Sequence, residues 1–163
     1  MTLDEFWSLI ERSRRGAESC DEQVERLAYR LAELPPEEIE AFDRHLTERR
    51  IEAYRWDLWG AAYIINGGCS DDGFEYFRCW LISKGRKFFE ATLADPEYAG
   101  RGVSDDDVQE CEPLLGVAGE AYERTTGRDL PPASIDYPAE PTGRRWDEAE
   151  LPGLFPKLWK RFG

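Results

Sequence analysis

The chain lacks any apolar run approaching the roughly 20 residues that a membrane-spanning helix requires. Its opening residues, MTLDEFWSLIERSRR, also lack the basic, then apolar, then small order of a signal peptide. Both absences make the cytoplasm the expected location. With His45 as its one histidine, the chain excludes His-pair metal sites and HExxH chemistry, which need two imidazoles on one face. Its four cysteines, Cys20, Cys69, Cys79 and Cys111, form no CxxC pair and no dense framework, so reduced, mostly buried thiols are expected. There is no phosphate loop, dinucleotide fingerprint or GxSxG elbow. Internal repeats and useful runs of alternating polarity are absent too.

What is present is charge, mostly of one sign. The net charge is −13, from 34 acidic and 21 basic side chains, and such a chain is repelled by phosphate backbones and anionic membranes. Direct nucleic-acid or membrane binding is therefore not expected. The charge is unevenly spread: residues 1–53 carry −6, 54–95 only −1, 96–143 carry −8 and 144–163 carry +2. Against this, 41% of residues are hydrophobic, including 6 Trp, 7 Tyr and 8 Phe, which removes disorder from consideration. A single domain of 163 residues is long enough to close a core.

The spacing predicts helices throughout, and the fold class is all-α. Thr2 and Glu5 form a capping box ahead of Leu3, Phe6, Trp7 and Ile10, predicting a helix over 3–14. Ser19 or Asp21 opens a second helix striped by Val24, Leu27, Ala28, Leu31 and Leu34, stopped by Pro35-Pro36. Those prolines begin a third, with Glu37, Glu38 and Glu40 near its positive dipole end and Ile39, Phe42, Leu46 and Ala53 as its apolar stripe. WDLWGAAYII, residues 56–65, is apolar on nearly every side and reads as the central helix of the core. Asn66-Gly67-Gly68 ends it, and Ser70 caps the next, with Asp71 and Asp72 in the first turn. Phe88, Phe89 and Leu93 mark a helix after Gly85, and Leu114 to Tyr122 mark one over 112–126, stopped at Gly127. The expected organisation is a helical domain over 1–127 and an addition over 128–163. In the latter, Pro131, Pro132, Pro138 and Pro141 impose an extended, irregular arm, and an apolar, basic tail, LPGLFPKLWKRFG, can dock back on the domain.

Residues 54–86, YRWDLWGAAYIINGGCSDDGFEYFRCWLISKGR, are the most distinctive stretch. The segment WDLWGAAYxINGGCSDDGFxYFRxWLISxG, together with Phe6-Trp7, LPPEEIxAFDRH over 34–45 and AYERTTG over 121–127, resembles the bacterial domain-of-unknown-function family 4240. The resemblance covers about the first 127 residues. It implies no catalytic residue, since the family has none assigned.

Candidate binding residues come from the same stretch. Asp71, Asp72 and Glu75 lie within one helical turn and present oxygens of the kind that hold Mg²⁺ or Ca²⁺, but with no further metal signature helix capping is the favoured reading. Arg78 follows at a spacing suited to pairing with these acids or to bidentate recognition of an anion. Trp56, Asp57, Asp72, Arg78 and Trp80 are proposed to line one ligand pocket, with aromatic side chains as its floor. Cys69, just before a helix N-terminus that lowers thiol pKa values, is the one candidate nucleophile, and His45 the one candidate base.

No catalytic set is complete, so the favoured function is a non-enzymatic binding, adaptor or regulatory domain with a protein or small-molecule partner. No cofactor is expected. A carboxylate- or metal-dependent hydrolase is the second reading. The third is an acidic protein neutralising a basic partner, as an immunity protein or nucleic-acid mimic does, through residues 96–143 with their charge of −8 and the run SDDDVQECE.

Overall fold

Caps and prolines cut the chain into helices largely where the spacing predicts. The computed structural model describes residues 1–104 and 107–163, so part of the acidic run, Asp105 and Asp106, lies outside the described residues. Helix α1 spans Leu3–Arg14, with the Thr2 hydroxyl accepting from the Glu5 amide at 3.2 Å and the Glu5 carboxylate accepting from the Thr2 amide at 2.6 Å. Ser19, rather than Asp21, caps α2 (Cys20–Ala32). Pro36 starts α3 (Pro36–Glu52), where its missing N–H costs no hydrogen bond.

Helix α4 (Trp56–Ile65) ends at Asn66, and the chain turns through Gly67 and Gly68 at φ +67° and +117°, a region that side chains with a Cβ resist. Asn66 also fixes a distant loop: its amide oxygen accepts from the Gln109 backbone N–H at 3.0 Å. Helix α5 spans Asp71–Ser83, capped by Ser70, and α6 spans Arg86–Ala94, followed by a 3-10 segment at Pro96–Gly102.

The helix expected over 112–126 is divided. Its first turn is a 3-10 helix at Glu112–Gly116, and α7 (Val117–Thr126) begins only beyond Gly116. Pro113 and Gly116 explain the delay, one removing a donor and the other being a poor helix former. Gly127 then ends α7 in the left-handed conformation, φ +70°.

The principal core is assembled from the stripes of these helices. Phe6, Ile10, Leu27, Leu31, Ile39, Phe42, Leu46, Leu58, Phe74, Phe77 and Leu81 are all buried in one cluster. Burying each such side chain contributes about 1.5 to 3 kcal/mol before the entropy of ordering it is counted. Helix α7 lies across α2 and α3, and α5 packs against α1, α3 and α6. A second, smaller cluster sits on the other side of α4. There Ala61 and Ile64 meet Leu151, Phe155 and Leu158 of the tail, which forms α8 (Leu151–Leu154) and α9 (Pro156–Phe162). The tail therefore docks on the domain, and α4 is covered from both sides. Gly60 makes that docking possible, because a Cβ there would lie 2.6 Å from the Phe155 ring.

The arm between Gly127 and the tail is extended, with one isolated parallel bridge between Arg55 and Thr142. No strand is formed among the described residues.

The thiols are not all reduced. Cys20, at the start of α2, is joined to Cys111, just before the 3-10 turn, with Cα atoms 5.7 Å apart. Cys69 and Cys79 are free. Spacing along the chain did not reveal the pair because 91 residues separate its members and only the packing of that turn on α2 brings them together. A bond closing so long a loop restricts the unfolded chain strongly. Cys20→Ser, or reduction of the parent chain, is expected to lower stability by about 2 to 4 kcal/mol in guanidinium unfolding. Equal midpoints with and without reductant would show that the bond contributes nothing.

Candidate functional site

The seven residues singled out in the sequence occupy several different surroundings. Arg78 and Trp80, both on α5, are buried, and Arg78 is the buried charge, at 3% exposure. Its guanidinium carbon lies 4.4 Å from the centre of the Tyr54 ring and 4.8 Å from that of Phe74. One terminal nitrogen donates to the Arg50 carbonyl at 2.9 Å and to the hydroxyl of Tyr137, which belongs to the arm, while Nε donates to the Phe74 carbonyl at 3.4 Å. No carboxylate pairs with it among the described residues. Glu75, its expected partner, is instead taken by Arg50, whose guanidinium also faces the Tyr137 ring at 5.5 Å. Asp43 lies near the same arginine; burial raises its carboxyl pKa and Arg50 opposes that rise.

The aromatic residues extend this arrangement into a ladder. Trp56 stacks on Trp59 with centroids 5.1 Å apart and planes within 4°, and Trp59 stacks in turn on Phe74 at 5.1 Å and 12°. The Trp59 indole N–H donates to the Cys69 carbonyl at 2.9 Å, which orients the ring. Arg145 stands over the outer end of the ladder, 5.2 Å from the Trp56 ring, and Arg78 closes the inner end. Charged planes at both ends match the negative faces of the rings.

Asp57 holds Arg55 through two hydrogen bonds, at 3.0 and 2.6 Å, and Arg55 reaches the Leu93 carbonyl at 3.0 Å. Asp71 and Asp72 are exposed in the first turn of α5, where the helix dipole favours them. Among the described residues, no group of three His, Cys, Asp or Glu side chains is placed to hold a metal ion. Trp80, two positions after Arg78, necessarily faces elsewhere on the helix and packs against Phe77 and Phe88. So Trp56 and Arg78 share one ladder, Glu75 touches it through Arg50, and Trp80 does not reach it.

The candidate nucleophile and base are accounted for structurally. Burial pushes the Cys69 thiol up to about 12, with Glu110 adding to the rise and Arg78 opposing it, so burial overrides the nearby helix N-terminus. The His45 ring bonds the Met1 carbonyl at 3.0 Å and lies against Phe6.

Sequence reasoning missed how the arm engages this face. Thr142 is bonded on both sides of Arg55: its N–H donates to the Tyr54 carbonyl and its carbonyl accepts from the Trp56 N–H, each at 3.0 Å. The Trp146 indole donates to the Trp56 carbonyl at 2.7 Å and its ring meets Tyr63 edge-on at 5.4 Å. Tyr54 and Tyr63 lie within the signature stretch and Arg50 just before it, but nothing local ties them to the arm, whose lone aromatics, Tyr137 and Trp146, were the available signal.

A family model described as a protein of unknown function, DUF4240, matches residues 1–124. The chain belongs to this family. No curated protein and no solved structure matches it. The DUF4240 match contains Arg50, Tyr54, the Trp56–Trp59–Phe74 stack and Arg78, whereas Tyr137, Thr142 and Trp146 lie beyond it. The stacked rings and both inner arginines thus lie within the match, and the segment lying on them lies beyond it.

Two consequences can be measured. Arg78→Ala is expected to cost about 2 to 4 kcal/mol in urea unfolding, because it removes two ring contacts and leaves the Arg50 carbonyl without its donor. Arg78→Lys would recover little, lacking the planar fork. At pH 8 the folded chain should alkylate at Cys69 roughly a hundredfold or more slowly than a free thiol, since the protonated form dominates until pH approaches the raised pKa. Rapid labelling of Cys69 in the native chain would contradict the raised pKa of this half-buried thiol.

Proposed function

We propose that the DUF4240 domain of this chain is a non-enzymatic binding module that holds an extended protein segment across the end of α3, α4 and the middle of α5, its own arm being the resident occupant. The observation that carries this reading is the closure of the Arg50–Arg78 pair by Tyr137 of the arm. Three anchors in succession fasten the arm: the Tyr137 hydroxyl and ring on the arginines, the Thr142 backbone on Arg55's neighbours, and the Trp146 indole on Trp56. This is how extended peptides are recognised in general, with backbone hydrogen bonds supplying affinity and separated side-chain sockets supplying selectivity. Prolines keep such a segment extended and lower the entropy lost on seating it.

The seating is shallow. Tyr137 remains 40% exposed, and most arm residues between the anchors are exposed. Segments with few buried contacts open at low free-energy cost. A partner's segment carrying an aromatic anchor near a proline is therefore the class of ligand that fits, with release of the arm as the regulatory step. The Cys20–Cys111 bond, which reducing surroundings disfavour, weakens the expectation of a cytosolic location, but the binding reading does not depend on compartment.

The test uses the full chain with the arm loosened by Tyr137→Ala and Trp146→Ala. A fluorescent peptide copying residues 128–146 should bind this variant saturably in anisotropy titrations and bind the parent more weakly, because the parent's own arm competes. Gly60→Ala, which pushes Phe155 and Trp146 outward, loosens the arm by a second route and should give the same order. Absence of peptide binding to both loosened variants, each shown to unfold cooperatively, would overturn the proposal.

A further inference from the structure

The geometry points to a second, separate site: a groove between α1 and α2 that binds a nucleoside polyphosphate. Arg26, Tyr29, Arg30 and Glu33 fall at i, i+3, i+4 and i+7 and so share one stripe of α2. Opposite them the end of α1 contributes Arg12 and the following Arg15. These six residues line an open groove of about 660 Å³, within the range of roughly 300 to 1,000 Å³ typical of small-molecule sites. In a chain of net charge −13, four converging arginines are not an average surface.

The four differ in their commitments. Arg26 is engaged by the fold itself, donating to the Arg15 carbonyl at 2.7 Å and pairing with Glu22, and thereby holds the turn between the two helices. Arg12, Arg15 and Arg30 are exposed and make no ion pair or side-chain hydrogen bond among the described residues. The negative ends of the helix dipoles give Arg12 and Arg30 a favourable seat, being in the last turns of α1 and α2. The dipoles do not explain why the unpaired guanidiniums line one groove together with an aromatic ring.

That ring is Tyr29, 59% exposed, the most exposed of the large aromatic side chains. Arg124 of α7, itself paired with Glu120, lies over it at 4.9 Å and holds its orientation. The groove thus offers planar forks for phosphate oxygens beside an aromatic surface for a base. Glu33, the groove's one carboxylate, repels phosphate but accepts hydrogen bonds from sugar hydroxyls. A long nucleic acid would meet the negative field of the whole molecule, whereas a short ligand within about 8 Å of the arginines meets mainly theirs.

Isothermal titration of the full chain with ATP, tripolyphosphate and adenosine at moderate salt tests the assignment. ATP should bind saturably and more tightly than tripolyphosphate, and adenosine should bind most weakly. Arg12→Ala and Arg30→Ala should each weaken ATP by roughly tenfold. Tyr29→Ala should weaken ATP by about tenfold and leave tripolyphosphate unchanged. These side chains are exposed, so the substitutions leave the core intact. No saturable heat with ATP at millimolar concentration would overturn the proposal. So would equal affinity for ATP and tripolyphosphate, indifference to both arginine substitutions, or preferential capture of an acidic peptide in the same groove.

Discussion

A buried guanidinium without a carboxylate is the constraint around which the centre of this domain is arranged. Transferring Arg78 out of water costs several kcal/mol unless its charge is met locally. Here the compensation comes from two ring faces and two backbone carbonyls of the domain, with a phenol hydroxyl from the arm completing the set. Each of these partners is then fixed in turn. Tyr54 must follow directly on the C-terminus of α3, Phe74 must stack on Trp59, and the Arg50 carbonyl must point inward. The ends and faces of α3, α4 and α5 meet around these contacts.

The same residues show what the sequence made legible and what it did not. Helix starts were readable because Thr2, Ser19, Pro36 and Ser70 act on their own neighbours within a turn. The all-α class and the docking of the tail were readable because apolar stripes must be covered by something. The helix over 112–126 was readable at its end, where Gly127 acts locally, and not at its start, where Pro113 and Gly116 favour a tighter turn. The Cys20–Cys111 bond and the embrace of Tyr137 by Arg50 and Arg78 were not readable, because they join residues tens of positions apart through packing that no local pattern encodes.

The candidate site shows the same division. Of the residues expected to line one pocket, Trp56 and Arg78 both belong to the ladder. Trp80 was grouped with them on aromatic character, although a spacing of two on a helix sends a side chain to another face. Glu75 and Arg78 have the spacing of an ion pair, yet Arg50 of α3 takes the carboxylate. Tertiary neighbours decide such competitions, and the helix itself does not reveal them.

The arm is covalently attached to the surface on which it lies, and that attachment has a quantitative meaning. A tethered segment of this length presents itself at an effective concentration in the millimolar range. An outside segment with the same anchors would therefore compete poorly at cellular abundance, however well it fitted. To be heard, it must carry a better anchor than Tyr137 or arrive on a partner with a second point of attachment. In the proposed binding role, the arm is a threshold that sets how strong a competing segment must be.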